Sequence, residues 1–269
     1  MRHYCTMLDA EYLDRGLALH ESLELYCRPF HWHVLALDGK GLDSLTRLSL
    51  PDTTITPMWE FETAELRKRH GRRRWNEYVW TCKPFWILRV LNVGMNDLTY
   101  VDGDCMFFSH PGVMYAEIGK AHLAITPHRF SPEYSKYVMN GRFNGAFIYT
   151  RQNKIAMDCL QEWAQNCLDW CFLSYEGDKF VDQKYLDQWP GRWGAYAITN
   201  KGTNLAPWNQ LQYQYALAHD SIYVSGDRLV FYHFHQGTAP AYPLHSFVQQ
   251  HIYSRYEEAL IRARARLAR

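Results

Sequence analysis

Two carboxylates stand one residue apart at Asp102 and Asp104, directly after the apolar run Leu98–Val101 and directly before Cys105, Met106, Phe107 and Phe108. Such a run reads as a strand buried on both faces. Open α/β sheets bind ligands beyond the C-terminal ends of their strands. Two adjacent carboxylates repel each other unless a cation lies between them. Hard oxygen donors suit Mg²⁺ or Mn²⁺, with substrate phosphates completing the shell. Gly103 between them permits a tight backbone course and close approach of a ligand. The chemistry is that of a metal–diphosphate site. Asp-Gly-Asp is also ordinary turn composition, so the triplet alone leaves both readings open.

Other residues can join that chemistry. In Leu229–Gly237, His233 and His235 are two apart and share a face if the segment is a strand. Two carboxylates and an imidazole form a donor set for Mn²⁺; a hydrogen-bonded core histidine is the plainer alternative. Lys83 precedes Pro84, which suits a first helical position, so Lys83 is expected at a helix mouth, where free N–H groups and a cation can meet a diphosphate. Asn144-Gly145 leads into the apolar run Ala146–Thr150, as a sugar-binding amide or as a hairpin turn. Asp182 and Gln183 open a short helix, where they position a sugar or simply cap the helix. Thr6 and Asp9 lie at the end of a first strand, beside the expected nucleoside position or in an ordinary strand–helix junction. Asn204, Trp208 and Asn209 make a polar loop with an aromatic platform for an acceptor.

The elements that must position these groups alternate. Strands are expected at Tyr4–Leu8, His31–Leu37, Thr53–Met58 and His122–Thr126. Helices are expected at Tyr12–Tyr26, from Pro84 to Leu91, and at Gln152–Leu173, where Ile155, Cys159, Trp163, Cys167 and Trp170 recur at core spacing. Strands alternating with helices imply an α/β fold with a mostly parallel sheet. Two basic stretches stand outside this pattern. Arg67–Arg74 is a grip for an anionic acceptor or membrane surface, or else a solvated helix end partly neutralised by Glu60, Glu62 and Glu65. The tail from Tyr253 carries Arg262, Arg264, Arg266 and Arg269, which suit an anionic bilayer surface or an ordinary solvated end helix.

With 269 residues and no linker-like composition, the expectation is a single domain over 1–240 and a helical extension over 241–269. A net charge of +1 argues against a nucleic-acid partner. Seven cysteines without a CxxC pair fit reduced thiols rather than a disulfide framework. No signal-peptide hydrophobic region and no run of about 20 apolar residues is present. The expected setting is cytoplasmic, with at most peripheral contact at the inner membrane face.

The order of these motifs, from Tyr4 to Gly237, resembles the GT-A glycosyltransferases, and among them the family-eight group that includes lipopolysaccharide galactosyltransferases and glycogenin. Thr6–Ser22 looks like that family's nucleotide-binding opening, YVDGDCMFF its acidic strand, FNGAFIY its asparagine strand, DQKYL its Asp-Gln helix and HFHQG its histidine motif. The resemblance implies a nucleotide-sugar donor, usually UDP-linked, bound with Mn²⁺, and a glycan or lipid-linked acceptor. Carried across, Asp102, Asp104 and His233 are metal ligands, with His235 the alternative, and Asp102 also approaches the ribose. Thr6 and Asp9 lie by the nucleoside, Lys83 near the diphosphate or the sugar, and Gly103 beside the bound donor. Asn144, Asp182 and Gln183 face the transferred sugar, whose anomeric configuration is retained. The chain departs from the family at Gln236, where glycine is usual, and at Thr238-Ala239-Pro240, where Lys-Pro-Trp is usual. The diphosphate-binding lysine is therefore absent there, and Lys83 or an arginine must replace it, or the donor differs. Two alternatives keep the acidic strand: a phosphohydrolase with Asp102 as nucleophile and Asp104 as general acid, and a non-catalytic nucleotide-sugar-binding protein.

Overall fold

In the computed structural model, which describes residues 1–269, the chain opens with β1 (Arg2–Leu8), buried from Tyr4 onward. Asp9 ends the strand and caps the turn that follows, its Oδ1 accepting from Tyr12 N at 3.1 Å, before α1 (Leu13–Tyr26). Next come β2 (Phe30–Ala36), α2 (Gly39–Leu48) and β3 (Thr53–Pro57). The short helices α3 (Met58–Phe61) and α4 (Ala64–His70) lead to α5 (Trp75–Leu91). Then follow β4 (Asp97–Val101), β5 (Cys105–Phe107), α6 (Gly112–Ile118), β6 (Leu123–Pro127), β7 (Phe143–Arg151) and α7 (Lys154–Asp169). The last third holds α8 (Trp189–Trp193), β8 (Tyr196–Ala197), β9 (Tyr215–Ala218), β10 (Ser221–Val224), β11 (Asp227–Arg228), β12 (Phe231–His233), α9 (Ser246–Val248) and α10 (Ser254–Leu267).

The central sheet has seven strands in the order β3-β2-β1-β4-β7-β6-β8. Only β7 runs antiparallel to its neighbours. The chain steps from β1 to β2 and β3 on one side and returns to β4 on the other. The order therefore reverses between β1 and β4, the place where ligands settle in such sheets. Alternate strand residues feed opposite layers. Cys5, Met7 and Leu35 pack with Trp86 and Ile87 of α5 and Leu160 and Trp163 of α7. Tyr4, Leu8 and Val34 pack with Leu17 and Leu23 of α1, Leu45 of α2 and Met114 of α6.

A second, smaller pairing sets the site. β5 runs antiparallel to β12 with Cys105 opposite His233 and Phe107 opposite Phe231. The outer side of this ribbon is backed by the end of the chain. Phe234 is fully buried and stacks on Tyr256 with ring centroids 3.6 Å apart, and Phe108, Ile252, Tyr253 and Leu260 share its cluster.

Several expectations need correcting. α5 begins at Trp75, nine residues before the proline expected to start it. Glu77 caps it by accepting from Arg74 N at 2.9 Å. Pro84 lies inside the helix, where it leaves the carbonyl four residues back without its helical partner. Burial of Tyr78, Cys82, Trp86, Ile87 and Leu91 against the sheet outweighs that cost. Asn144-Gly145 is no hairpin turn but lies within β7. The expected long helix stops at Asp169 rather than Leu173.

Parts of the basic stretches are also tied down. Arg67 meets Glu62 at 2.8 Å, and Arg73 donates to the carbonyls of Cys167 and Leu168, both at 2.8 Å. In the tail, Arg262 meets Glu21 at 2.7 Å and Arg264 meets Asp14 at 2.8 Å. Tyr256, Ala259, Leu260 and Ala263 bury one face of α10, so it is not a solvated end helix.

Phe234→Ala is expected to destabilise the fold by about 3–5 kcal/mol, because the ring fills a closed aromatic cluster. Urea denaturation followed by tryptophan fluorescence measures this, and a loss under 1 kcal/mol would refute the buttress.

Candidate active site

The carboxyl-end crevice between β1 and β4 opens into a cleft of about 480 Å³. Asp9 enters it from the end of β1 and Asp102, Gly103 and Asp104 from the end of β4. Asn144 and Gly145 come from the start of antiparallel β7, and Asp182 and Gln183 from the turn before α8. β7 starts where β4 ends, so its first residues reach the same edge.

Asp104 is buried beside two imidazoles. Its Oδ1 lies 3.2 Å from His233 Nε2. One donor atom from each of Asp104, His233 and His235 can be chosen so that all three lie within 4.8 Å of one another. The ladder explains half of this, since Cys105 opposite His233 places that ring next to Asp104, and Phe234 N donates to Asp104 O at 2.8 Å. β12 ends at His233, so the shared strand face expected for the two histidines does not exist. His235 arrives through a turn in which Gln236 and Gly237 adopt φ of 66° and 72°.

The charges of this group are coupled. Burial works against the Asp104 carboxylate, but the His233 imidazolium outweighs it and holds the carboxyl at about 2. Burial likewise opposes charge on His233, and Asp104 overcomes it, so that imidazole is raised. His235 is lowered by burial and by His233. His233 Nδ1 is buried and meets no partner. One carboxylate and two imidazoles fit a first-row divalent ion such as Mn²⁺ better than Mg²⁺, which prefers oxygen.

Asp102 stands outside this group. Its Oδ1 accepts from Tyr100 Oη at 2.7 Å and faces Lys83 Nζ at 3.3 Å. Lys83 is not at a helix mouth. It is buried in the middle of α5, with Asp182 Oδ2 at 3.1 Å and Gly145 O at 3.1 Å as its other neighbours. Burial opposes its charge, but Asp102 and Asp182 together raise it above the ordinary lysine range. Asp182 is raised by burial, which Lys83 only partly offsets. Asp182 therefore serves as a counter-charge and makes no helix cap. Gly103 is a packing glycine as well as a cleft residue. A Cβ there would come within 2.5 Å of Leu8 Cδ2, and the same leucine fills the space above Gly16.

Thr6 does not reach the cleft. It is fully buried, donating to Val101 O at 2.8 Å and accepting from Trp32 Nε1 at 3.1 Å. Asp9 does reach it, with Oδ2 accepting from Trp75 Nε1 at 2.8 Å. Asn204 and Asn209 are buried; Asn209 braces the loop by donating to His128 O at 2.8 Å, and only Trp208 of that trio lines the cleft.

His128 was missed in the sequence. Its Nε2 lies 3.0 Å from Asn144 Nδ2, its ring stacks on Phe130, and burial lowers it to about 3, so it is neutral. Its signal was a polar residue just beyond β6, whose C-terminal end shares the edge of β4. The aromatic walls Tyr12, Trp75, Tyr137 and Tyr242 carried no local signal.

A family model of nucleotide-diphospho-sugar transferases matches residues 30–214. The uncharacterized protein YfnD of Bacillus subtilis (strain 168) is 31% identical over 239 residues, covering 86% of this chain and 76% of its own. YfnF of the same strain, also uncharacterized, is 29% identical over 242 residues, covering 86% and 80%. Among solved structures, the galactosyltransferase LgtC, in complex with donor and acceptor sugar analogues, shares the fold. The TM-score is 0.55 at 14% identity, over 97% of this chain and 95% of that one.

Lys83→Met is expected to cost roughly 3–5 kcal/mol at pH 7, since it strands the buried Asp182 carboxylate. Asp182, already raised by burial, would then bind its proton more tightly still than in the unfolded chain. The penalty is full at neutral pH and shrinks as falling pH protonates it. Urea denaturation at pH 7 and pH 5 tests this, and a penalty that grows on acidification would contradict it.

Proposed function

The chain belongs to the nucleotide-diphospho-sugar transferase family, and from that premise we propose that it moves a sugar from a UDP-linked donor to a saccharide acceptor, with Mn²⁺ and with retention at the anomeric carbon. It is a glycosyltransferase with the GT-A fold. The observation that carries the finer reading is the grouping of Asp104, His233 and His235 at the sheet's switch point, inside a cleft that also holds Asn144, Asp182 and Gln183.

Asp104, His233 and His235 would hold the ion, and Asp102 lies one residue away, tethered by Tyr100 and Lys83. A bound divalent ion supplies Lewis-acid neutralisation of the leaving diphosphate. Asp9 and the Tyr12 and Trp75 rings form the wall suited to a nucleoside. The Asn144 amide is fixed from both ends, its Oδ1 accepting from Ala146 N at 3.0 Å and its Nδ2 facing neutral His128. Gln183 donates through Nε2 to Asn140 O at 3.1 Å, which orients its amide at the cleft wall. Such pre-aimed dipoles stabilise charge that develops on a reacting sugar without reorganising. Phe130, Tyr137, Trp208 and Tyr242 offer apolar walls for an acceptor. No helix is long and apolar enough to cross a membrane. Family membership sets aside the phosphohydrolase alternative.

Asp104→Ala is expected to lower sugar transfer at least about 100-fold while leaving the melting temperature within a few degrees. It is also expected to abolish the Mn²⁺-dependent part of any thermal shift produced by UDP. That shift corresponds to about 2.7 kcal/mol at a hundredfold excess over Kd in the wild type. Wild-type turnover by the variant would sink the reading. Because His233 is raised by Asp104 and must lose its proton to ligate, Mn²⁺ affinity is expected to fall by about tenfold per pH unit below that imidazole's pKa. Calorimetry in buffers of different ionisation enthalpy checks this by counting the released proton.

A further inference from the structure

The donor reading brings a charge deficit with it. The cleft walls carry Asp9, Asp102, Asp104 and Asp182 against a single lysine. A lysine ammonium has three donors. Around Lys83 Nζ stand Asp182 Oδ2 at 3.1 Å, Gly145 O at 3.1 Å and Asp102 Oδ1 at 3.3 Å, and the residue is only 3% exposed. Two carboxylates already neutralise its charge. The turn after His235 runs Gln236-Gly237-Thr238-Ala239-Pro240 and holds no cation.

Arg15 stands beside that turn. It lies in the first turn of α1, and its guanidinium sits 4.2 Å from the ring centroid of Tyr12, which lines the cleft. The same group borders Gly237, where a Cβ would lie 3.7 Å from Nη2 and 4.0 Å from Nε. No carboxylate pairs with it. Neighbouring Asp14 turns its Oδ2 to Arg264 of α10 at 2.8 Å, and the two Asp9 oxygens are taken by Tyr12 N and Trp75 Nε1. A half-buried guanidinium without an acid partner thus lies between a cleft-wall aromatic and the loop that carries His235.

We propose that Arg15 is the cation that binds the donor diphosphate in this chain, in place of the lysine missing after His235. A planar fork of N–H donors suits two phosphate oxygens at once. The pairing of Asp14 with Arg264 keeps the adjacent carboxylate from neutralising it, which gives α10 a part in the site. The inference rests on the nucleotide-diphosphate donor reading above.

The test is calorimetric titration of the full chain with UDP, GDP, ADP and dTDP, each with Mn²⁺. The proteins are the wild type, Arg15→Gln, Arg15→Met and, as a control cation elsewhere, Lys68→Gln. For the diphosphate that binds best, both Arg15 variants are expected to lose about 10- to 100-fold in affinity, and Lys68→Gln to lose none. The matching nucleoside, followed by ligand-observed NMR, is expected to bind all four proteins equally. Methionine retains an apolar stem over Tyr12, so Arg15→Met carries the test if the glutamine variant melts early. Unchanged diphosphate affinity in a folded Arg15 variant overturns the assignment and leaves the donor reading intact. An equal loss for nucleoside and diphosphate also overturns it, because Arg15 would then act through the Tyr12 ring. A wild type that binds none of the four overturns the donor reading, and the Arg15 assignment with it.

Discussion

Three residue pairs join β5 to β12, and their register decides which side chains meet at the mouth of the cleft. With Cys105 opposite His233, the imidazole lies against Asp104 and the neighbouring Tyr232 and Phe234 point into the packed layer behind. Strand side chains alternate, so a slip of one residue would exchange those faces. So short a ribbon is weakly specified by its own hydrogen bonds. Phe234, Tyr253 and Tyr256 supply the burial that pins it, and the last helix of the chain is thereby part of the apparatus that holds the histidines.

The other constraint is electrostatic. Four carboxylates converge on one crevice, and each has a different compensation. Asp9 accepts from a backbone N–H and an indole, Asp102 and Asp182 share Lys83, and Asp104 shares a proton's charge with His233. The lysine bridges α5, β4 and the turn before α8, so a single buried ammonium ties three elements to the cleft floor. Buried ion pairs of this type add little net stability but penalise any arrangement that separates the partners. That accounts for a buried lysine in the middle of a mostly apolar helix face.

Rigid positioning extends to neutral groups. His128 stays uncharged because it is buried, and its ring braces Asn144 from one side while Phe130 and Trp208 brace His128 from the others. Gly103 lets the acid-bearing turn lie directly on Leu8, so the spacing of Asp102 and Asp104 is set by the packing of β1 and α1 as well as by the triplet itself.

By itself the sequence determined the class of fold, the strand that carries the acids and the parallel character of the sheet. Those follow from periodicity, apolar runs and the order of elements, all of which are local. It also marked Asp102 and Asp104 as partners of His233, with His235 the alternative, through donor chemistry and resemblance. What only the tertiary structure decided is which of the marked residues share a space. Asp102 and Asp182 turned to Lys83, Thr6 of β1 was sealed against Val101 of β4 and Trp32 of β2, and His235 reached the cluster by a turn rather than a strand. Pro84 misled the reading because a strong local signal for a helix start yielded to the burial of a whole helix face. Arg15 and the aromatic walls were invisible for a related reason. A guanidinium without a partner, or a ring that faces a cleft, is defined by what surrounds it, and those neighbours are scattered along the chain.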